Sequence, residues 1–161
     1  MTSRRATVTT TSPEATGEVA AALAHFAMPG HVVVLAGPLG SGKTTFVRGY
    51  AHALGVVHPV TSPSYTLVHH YTCGPGAPIA LLLHADLWRL TSASELDDLA
   101  LDEPLADGAG AVIEWGDRFD ATSGSDRVVI SFEVVDDTTR RLEVSLEDSS
   151  LADSVLEALA T

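Results

Sequence analysis

The stretch Gly37-Pro38-Leu39-Gly40-Ser41-Gly42-Lys43-Thr44-Thr45 constrains this chain more than any other. It has the spacing of a phosphate-binding loop: a glycine, four residues, then Gly-Lys-Thr. Its flanks suit that reading. Val32-Val33-Val34-Leu35-Ala36 is an apolar run of strand length, and Phe46 to Leu54 reads as a helix. Strand, glycine-rich loop and helix in that order are the context the motif needs. Glycines let main-chain N–H groups turn toward phosphate oxygens. The helix that follows points its positive end at the same anion. Lys43, the only lysine of the chain, then reaches the β- and γ-phosphates, and the Thr44 hydroxyl faces a magnesium ion. The competing reading is a chance glycine-rich turn with a surface lysine.

The remaining pattern predicts an α/β fold. A helix starts at Ser12-Pro13-Glu14, with a capping hydroxyl and a proline at the first helical position. It buries Val19, Leu23 and Phe26 and ends at Pro29-Gly30. Ala6 to Thr10 alternates weakly, as an edge strand does. Gly55 terminates the helix after the loop. Pro59 to Pro63 is a loop, and Ser64 to Tyr71 alternates as a strand. Ile79 to Leu83 and Gly110 to Ile113 are two further buried strands, ending in His84-Ala85-Asp86 and Glu114-Trp115. Between them Ser92 to Leu99 reads as a capped helix, with Glu95 three residues beyond Ser92, and Asp102 to Ala106 as a helical turn. Val128 to Val135 and Arg141 to Leu146 make a hairpin across Asp136-Asp137-Thr138-Thr139. A last helix, Leu151 to Leu159, is capped by Ser149 or Ser150. Strands alternating with helices predict a mostly parallel sheet, which the late hairpin makes mixed. A length of 161 residues fits one domain, residues 1–161. A chain of this size buries ~68–70% of its unfolded surface.

Charge narrows the partners. The formal net charge is −12, and 19 of the 21 acids lie from Asp86 onward. An acidic exterior repels phosphate backbones, so tight direct binding of nucleic acid is not expected. A nucleotide is not excluded, because the loop supplies its own positive field. Cys73 is the single cysteine, so no internal disulfide forms and a reducing compartment is expected. No apolar segment follows Arg4 and Arg5, which does not support secretion, and Pro29-Gly30 interrupts the one long uncharged run before it could span a membrane. From Gly49 to Ala85 there is no Asp, Glu, Lys or Arg, yet five of the seven histidines lie there. They read as half-buried or surface residues, or as a proton-sensitive surface.

A phosphate loop alone only binds. Hydrolysis or transfer also needs a carboxylate near the metal and a group that orients the attacking water. Carboxylates at the C-terminal ends of buried parallel strands are placed for this. Asp86 and Glu114 qualify. Either could instead be a loop acid in an ion pair, Asp86 with Arg89 for example. Trp115 could stack on a base or simply pack. Thr61, Ser62, Ser64 and Thr66 are hydroxyls in a region that can close over a γ-phosphate, or ordinary turn residues.

Four segments together resemble the TsaE (YjeE) family of small ATPases from the bacterial pathway to threonylcarbamoyladenosine in tRNA. They are residues 37–49, Thr61-Ser62-Pro63-Ser64-Tyr65-Thr66-Leu67-Val68, His84-Ala85-Asp86-Leu87-Trp88-Arg89-Leu90 and Ile113-Glu114-Trp115. The resemblance implies that Leu39, Gly40, Ser41, Gly42, Lys43 and Thr44 wrap the phosphates of ATP, with Thr45 following at the same helix start. It implies Thr44 and Glu114 as magnesium ligands, Asp86 as a second catalytic acid beside Lys43, and Trp115 at the nucleotide. Ser62-Pro63-Ser64-Tyr65 is then the loop that responds to nucleotide state, and the helix start near residues 12–16 touches the adenine side. Ser64 and Trp88 stand where the family usually has Thr and Tyr, and Leu99 to Ala106 lacks an expected glycine. The implied partner is a complex of two related subunits, TsaD and TsaB, in the cytoplasm. A protein that docks on proteins tolerates a negative surface, and the uncharged stretch Gly49 to Ala85 is the candidate docking side. The rival readings are a small-molecule or nucleoside kinase, disfavoured because no arginine-rich lid lies between Gly55 and Ile113, and a nucleotide-gated binding module.

Overall fold

The apolar run at Val32–Ala36 is β2, a central strand of a seven-stranded sheet. The computed structural model describes residues 3–63, 68–118, 127–147 and 152–160. Along them lie β1 (Ser3–Thr10), α1 (Pro13–Ala24), β2, α2 (Lys43–Ala53), β3 (Val68–Thr72) and β4 (Leu81–Asp86). Then follow α3 (Ala93–Asp97), α4 (Asp102–Ala106), β5 (Gly110–Glu114), β6 (Arg127–Val134), β7 (Arg140–Glu147) and α5 (Ala152–Ala160). The strand order is β1-β7-β6-β2-β5-β4-β3. The four inner strands β6, β2, β5 and β4 run parallel. The hairpin β6–β7 with β1, and β3 against β4, make the two flanks antiparallel. This is the mixed α/β sheet that the pattern predicts.

Alternation along the strands sorts the core into two faces. Val33, Leu35, Leu82, Val112, Ile130 and Val144 point to the face covered by α1, α2 and α5. Val32, Val34, Leu83, Ala85, Ala111 and Ile113 point to the other, where Leu87, Leu90 and Leu96 cover them. Strands covered on both sides have no polar alternation, which is why β2 and β5 read as continuous apolar runs.

Local chemistry fixes the helix ends. Ser12 Oγ accepts from the Ala15 N–H, with Pro13 next to it. α1 ends at Ala24 rather than at Pro29-Gly30, which belong to a separate turn into β2. Its buried residues are Thr16, Ala20, Leu23 and Ala24, with Val19 and Phe26 at the margin. α2 ends as expected at Gly55, which has φ of 80°. The Val56 N–H donates to Ala51 O and the Gly55 N–H to His52 O, capping the last carbonyls. Ser92 Oγ accepts from the Glu95 N–H, so α3 starts where its capping pattern predicts. β4 is displaced from its expected span. It runs Leu81–Asp86, so His84 and Asp86 lie within the strand and not beyond it. Register explains this: Leu82 to Asp86 pair with Gly110 to Glu114 residue by residue. The expected strand start at residues 64–67 and the cap at residues 149–150 lie outside the described residues. Among the described residues no helix is long and apolar enough to cross a membrane.

Candidate functional site

The phosphate-binding motif forms the turn between β2 and α2, at the C-terminal edge of the parallel strands. Gly40 and Gly42 have φ of 76° and 104°, a region open to glycine but strained for other residues. Gly42 is also the N-cap of α2, and no side chain caps that end. The first N–H groups of the helix therefore face the loop cavity as donors for an anion. Ser41 is fully buried and Leu39 is largely exposed at the loop tip.

Lys43 opens α2 and is 5% exposed. Its ammonium donates to Gly37 O at 2.6 Å and to Pro38 O at 2.9 Å. It lies 3.9 Å from the centre of the Trp115 ring. Burial pushes the Lys43 amine below its ordinary range, and the carboxylates of Glu114, Asp86 and Asp117 oppose that shift. The positive charge is thus placed within a partly desolvated loop, where its field on a phosphate is least screened.

Glu114 ends β5 and is 3% exposed. Its Oε1 accepts from the Thr44 hydroxyl at 3.1 Å, joining residues 70 positions apart in the chain. Asp86 ends β4 directly beside it in register. Asp86 Oδ1 accepts from the Trp88 N–H at 2.9 Å, and Oδ2 from the Ser62 hydroxyl at 3.3 Å. Residues 59–63 form the loop expected there. Arg48 Nε donates to Val60 O at 3.2 Å, and the Thr61 N–H donates to the Tyr71 hydroxyl at 3.4 Å. Ser64 and Thr66 lie outside the described residues.

Trp115 follows Glu114 with φ of 60°, a conformation uncommon for any residue but glycine. Its N–H donates to Leu35 O at 2.9 Å, which extends the β2–β5 ladder past the strand end. The turn swings its ring over Lys43 and against Trp88, with ring centres 4.5 Å apart. These are packing contacts, and they leave the ring on the wall of the cavity that the phosphate loop lines. Leu39, Gly40, Ser41, Gly42, Lys43, Thr44, Thr45, Ser62, Asp86, Glu114 and Trp115 line one cavity of about 260 Å³.

The oxygens of Thr44 and Glu114 are hard donors side by side. Magnesium is usually held by one or two carboxylates together with substrate phosphates, so this pair fits it. Among the described residues no group of three or more His, Cys, Asp or Glu side chains could hold a metal without such help.

Two residues at the site are missed by the sequence reading. His84 is neither half-buried nor on the surface. It is fully buried, and its Nε2 lies 2.5 Å from Glu114 Oε2. The available signal is spacing: His84 and Asp86 are two apart in one strand, so they share a face. The second is Arg140, at the start of β7. Its Nε donates to Ser41 O at 3.1 Å and its Nη2 to Gly40 O at 3.4 Å. Its Nη1 donates to Asp136 O at 2.7 Å and to Thr139 O at 3.1 Å. The hairpin is thereby pinned to the phosphate loop. Beside it is a second cavity of about 260 Å³, lined by Ser12, Pro13, Thr16, Gly40, Gly42, Thr45, Asp137, Thr138 and Arg140. No local pattern marks Arg140, because its partners in the phosphate loop are carbonyls about 100 positions away.

Comparison with known proteins places these features in a family. A family model described as "Threonylcarbamoyl adenosine biosynthesis protein TsaE" matches residues 10–142. A Bacillus subtilis protein named tRNA threonylcarbamoyladenosine biosynthesis protein TsaE is 35% identical over 133 residues, covering 83% of this chain and 80% of that one. A Mycobacterium tuberculosis protein of the same name is 45% identical over 95 residues, 55% of each chain. A crystal structure of Bacillus subtilis YdiB superposes with a TM-score of 0.78 at 26% identity, covering 99% of this chain and 97% of that one.

Proposed function

We propose, on the premise that this chain belongs to the TsaE family of threonylcarbamoyl adenosine biosynthesis proteins, that it is a magnesium-dependent ATPase serving that modification of tRNA. The coarser part follows from membership: the chain has a nucleotide-binding site and a role in threonylcarbamoyladenosine biosynthesis. The finer part is a chemical reading of the site. The observation that carries it is the contact between Thr44 of the phosphate loop and Glu114 of a neighbouring strand. A hydroxyl and a carboxylate brought together beside an uncapped helix start are the parts that a nucleotide triphosphate with its metal requires.

In this reading the N–H groups of residues 40–44 hold the phosphates of ATP. Lys43 places its ammonium against the oxygens of the transferred phosphoryl group, where charge builds in the transition state. Thr44 and Glu114 would hold magnesium, whose charge offsets that of the phosphates. Asp86 orients the attacking water. It is assigned this role over Glu114 because Glu114 is buried and tied to Thr44 and His84, whereas Asp86, although each of its oxygens also accepts one hydrogen bond, is only partly buried at the cavity rim. Ser62, bonded to Asp86, links that acid to the loop of residues 59–63, so loop position and water position move together. Trp115 covers Lys43 and limits water access from that side.

The output of hydrolysis is directed to a protein complex of the TsaD–TsaB type, in the cytoplasm. The net charge of −12 supports a protein partner over direct contact with tRNA. Phosphate release from ATP is measured with magnesium, for the chain alone and with the candidate partner complex. Slow release alone and faster release in the complex are expected, with little from Lys43→Ala, Asp86→Ala or Glu114→Ala. Unchanged hydrolysis by Glu114→Ala removes the metal assignment. Phosphate appearing on an added acceptor indicates a kinase. Normal levels of threonylcarbamoyladenosine in cells lacking the chain remove the pathway role.

A further inference from the structure

His84 is buried to the last atom, yet among the described residues only one of its ring nitrogens has a partner. Nε2 meets Glu114 Oε2 at 2.5 Å, while Nδ1 is enclosed with no hydrogen-bond partner among the described residues. The ring is walled in. Tyr71 stacks on it with centres 6.4 Å apart and planes 29° apart, and His69 meets it edge-on at 6.3 Å and 84°. Tyr71 is itself held, its hydroxyl 3.1 Å from His69 Nδ1. Opposite a carboxylate oxygen a ring hydrogen belongs on Nε2, which leaves Nδ1 unpaired among the described residues. Burying an unpaired polar atom is unfavourable. The site tolerates it in order to present one N–H at one carboxylate oxygen.

The consequence falls on Glu114. A carboxylate on a glutamate side chain can rotate and can offer one oxygen or two. Here Oε2 is taken by His84, and Oε1 is shared with Thr44. Turning the carboxylate to any other angle would break both contacts, and a half-turn only exchanges two equivalent oxygens, so the presented geometry is fixed. Only Oε1 then faces the Thr44 side of the cavity. Loss of an outer partner that orients a metal-binding group in this way typically costs about 10–100-fold in metal affinity.

We propose that His84 is a positioning residue for the nucleotide-bound magnesium: it locks Glu114 so that a single oxygen, Oε1, is presented beside the Thr44 hydroxyl. This rests on the reading that Thr44 and Glu114 hold the metal. It is separable from a role in packing, because packing acts on nucleotide and metal alike.

The test is binding, not turnover. Affinity for adenylyl imidodiphosphate, an ATP analogue that is not hydrolysed at its β–γ bridge, is measured on the full chain without magnesium and across a magnesium titration. The variants are His84→Met, His84→Asn and His84→Gln. A glutamine amide nitrogen falls near the position of Nε2, whereas the shorter asparagine reaches only that of Nδ1. Met and Asn should raise the magnesium needed for half-maximal tightening about 10–100-fold and leave metal-free affinity within about twofold. Gln should restore the wild-type titration to within about threefold. If Met does not fold, the contrast between Gln and Asn decides. Wild-type affinity indifferent to magnesium overturns the metal reading and this inference with it. A wild-type titration that responds, matched by Met and Asn, overturns the inference alone. Equal losses with and without magnesium also overturn it, by assigning His84 to packing.

Discussion

Gly49→Ala should destabilise the protein and Gly17→Ala should stabilise it, although both change a helical glycine to the best helix former. The two glycines meet where α1 crosses α2. A Cβ on Gly49 would lie 2.5 Å from Gly17 O and 2.6 Å from Gly17 Cα, both backbone atoms. Ordinary contact begins at 3.4 Å. Backbone cannot rotate away as a side chain can, so the helices must part by roughly 1 Å, with an overpacking penalty of about 1–3 kcal/mol. Against this stands the helix propensity of alanine over glycine, about 1 kcal/mol. The penalty wins, because parting the helices also loosens Phe46, Val47, Tyr50 and Ala51, which are buried against the sheet. A Cβ on Gly17 meets only Gly49 Cα, at 3.9 Å, so there the propensity term acts unopposed. For a chain of this size about 1 kcal/mol moves the midpoint of thermal unfolding by ~2–4 °C. Circular dichroism should therefore place Gly49→Ala a few degrees below wild type and Gly17→Ala above it. Because α2 begins at Lys43, Gly49→Ala should also weaken nucleotide binding about tenfold, while Gly17→Ala should not. A midpoint for Gly49→Ala at or above that of wild type refutes the close crossing.

Lys43→Met should abolish nucleotide binding, as calorimetry with ADP would show. It should also remove a pH dependence. Burial lowers the Lys43 value in the folded state below the 10.5 of the free side chain, so the unfolded chain holds that proton more tightly. Raising the pH between the lowered value and 10.5 then favours the folded wild type relative to Lys43→Met, and urea midpoints compared across alkaline pH check the sign. Arg140→Ala should lose about 1–2 kcal/mol of stability in urea and weaken ADP binding, since four carbonyl contacts go with the guanidinium. Arg140→Lys should not rescue it, because an ammonium cannot span the hairpin and the loop together. Nucleotide should change the tryptophan fluorescence of Trp88→Phe, which keeps Trp115 over Lys43, and change that of Trp115→Phe much less.

The inner sheet was legible because it is the simplest case of burial. Val32–Ala36 and residues 110–113 are apolar without interruption, and only a strand covered on both faces supports that pattern. Helix starts were legible where a side chain performs the cap, as Ser12 and Ser92 do. The end of α1 was not, because Pro29-Gly30 is an obvious break while the actual end, at Ala24 and His25, carries no marker residue. β4 was misplaced for a related reason. Its boundaries come from pairing with β5, and pairing is a property of two segments that neither displays alone.

The same distinction governs the site. Lys43 and Thr44 belong to a local motif, whereas Glu114, Asp86 and His84 are joined to it by register. Asp86 pairs with Glu114 and His84 with Val112, so His84 sits diagonally across from Glu114 on the face under α2. With the face of Val112 known, parity alone puts His84, Asp86 and Glu114 together. That arithmetic changes the meaning of a histidine in an uncharged stretch. On chemistry alone such a residue is surface or core. In register with an acid that also touches the phosphate loop, it becomes part of the electrostatics of the loop. The chain thus concentrates its one lysine, Lys43, two acids and one buried imidazole at the edge where three parallel strands end, and the Thr44–Glu114 contact makes them a single unit. A substitution at any one of the four should alter how the others bind, so their effects on magnesium-dependent nucleotide affinity should fail to add.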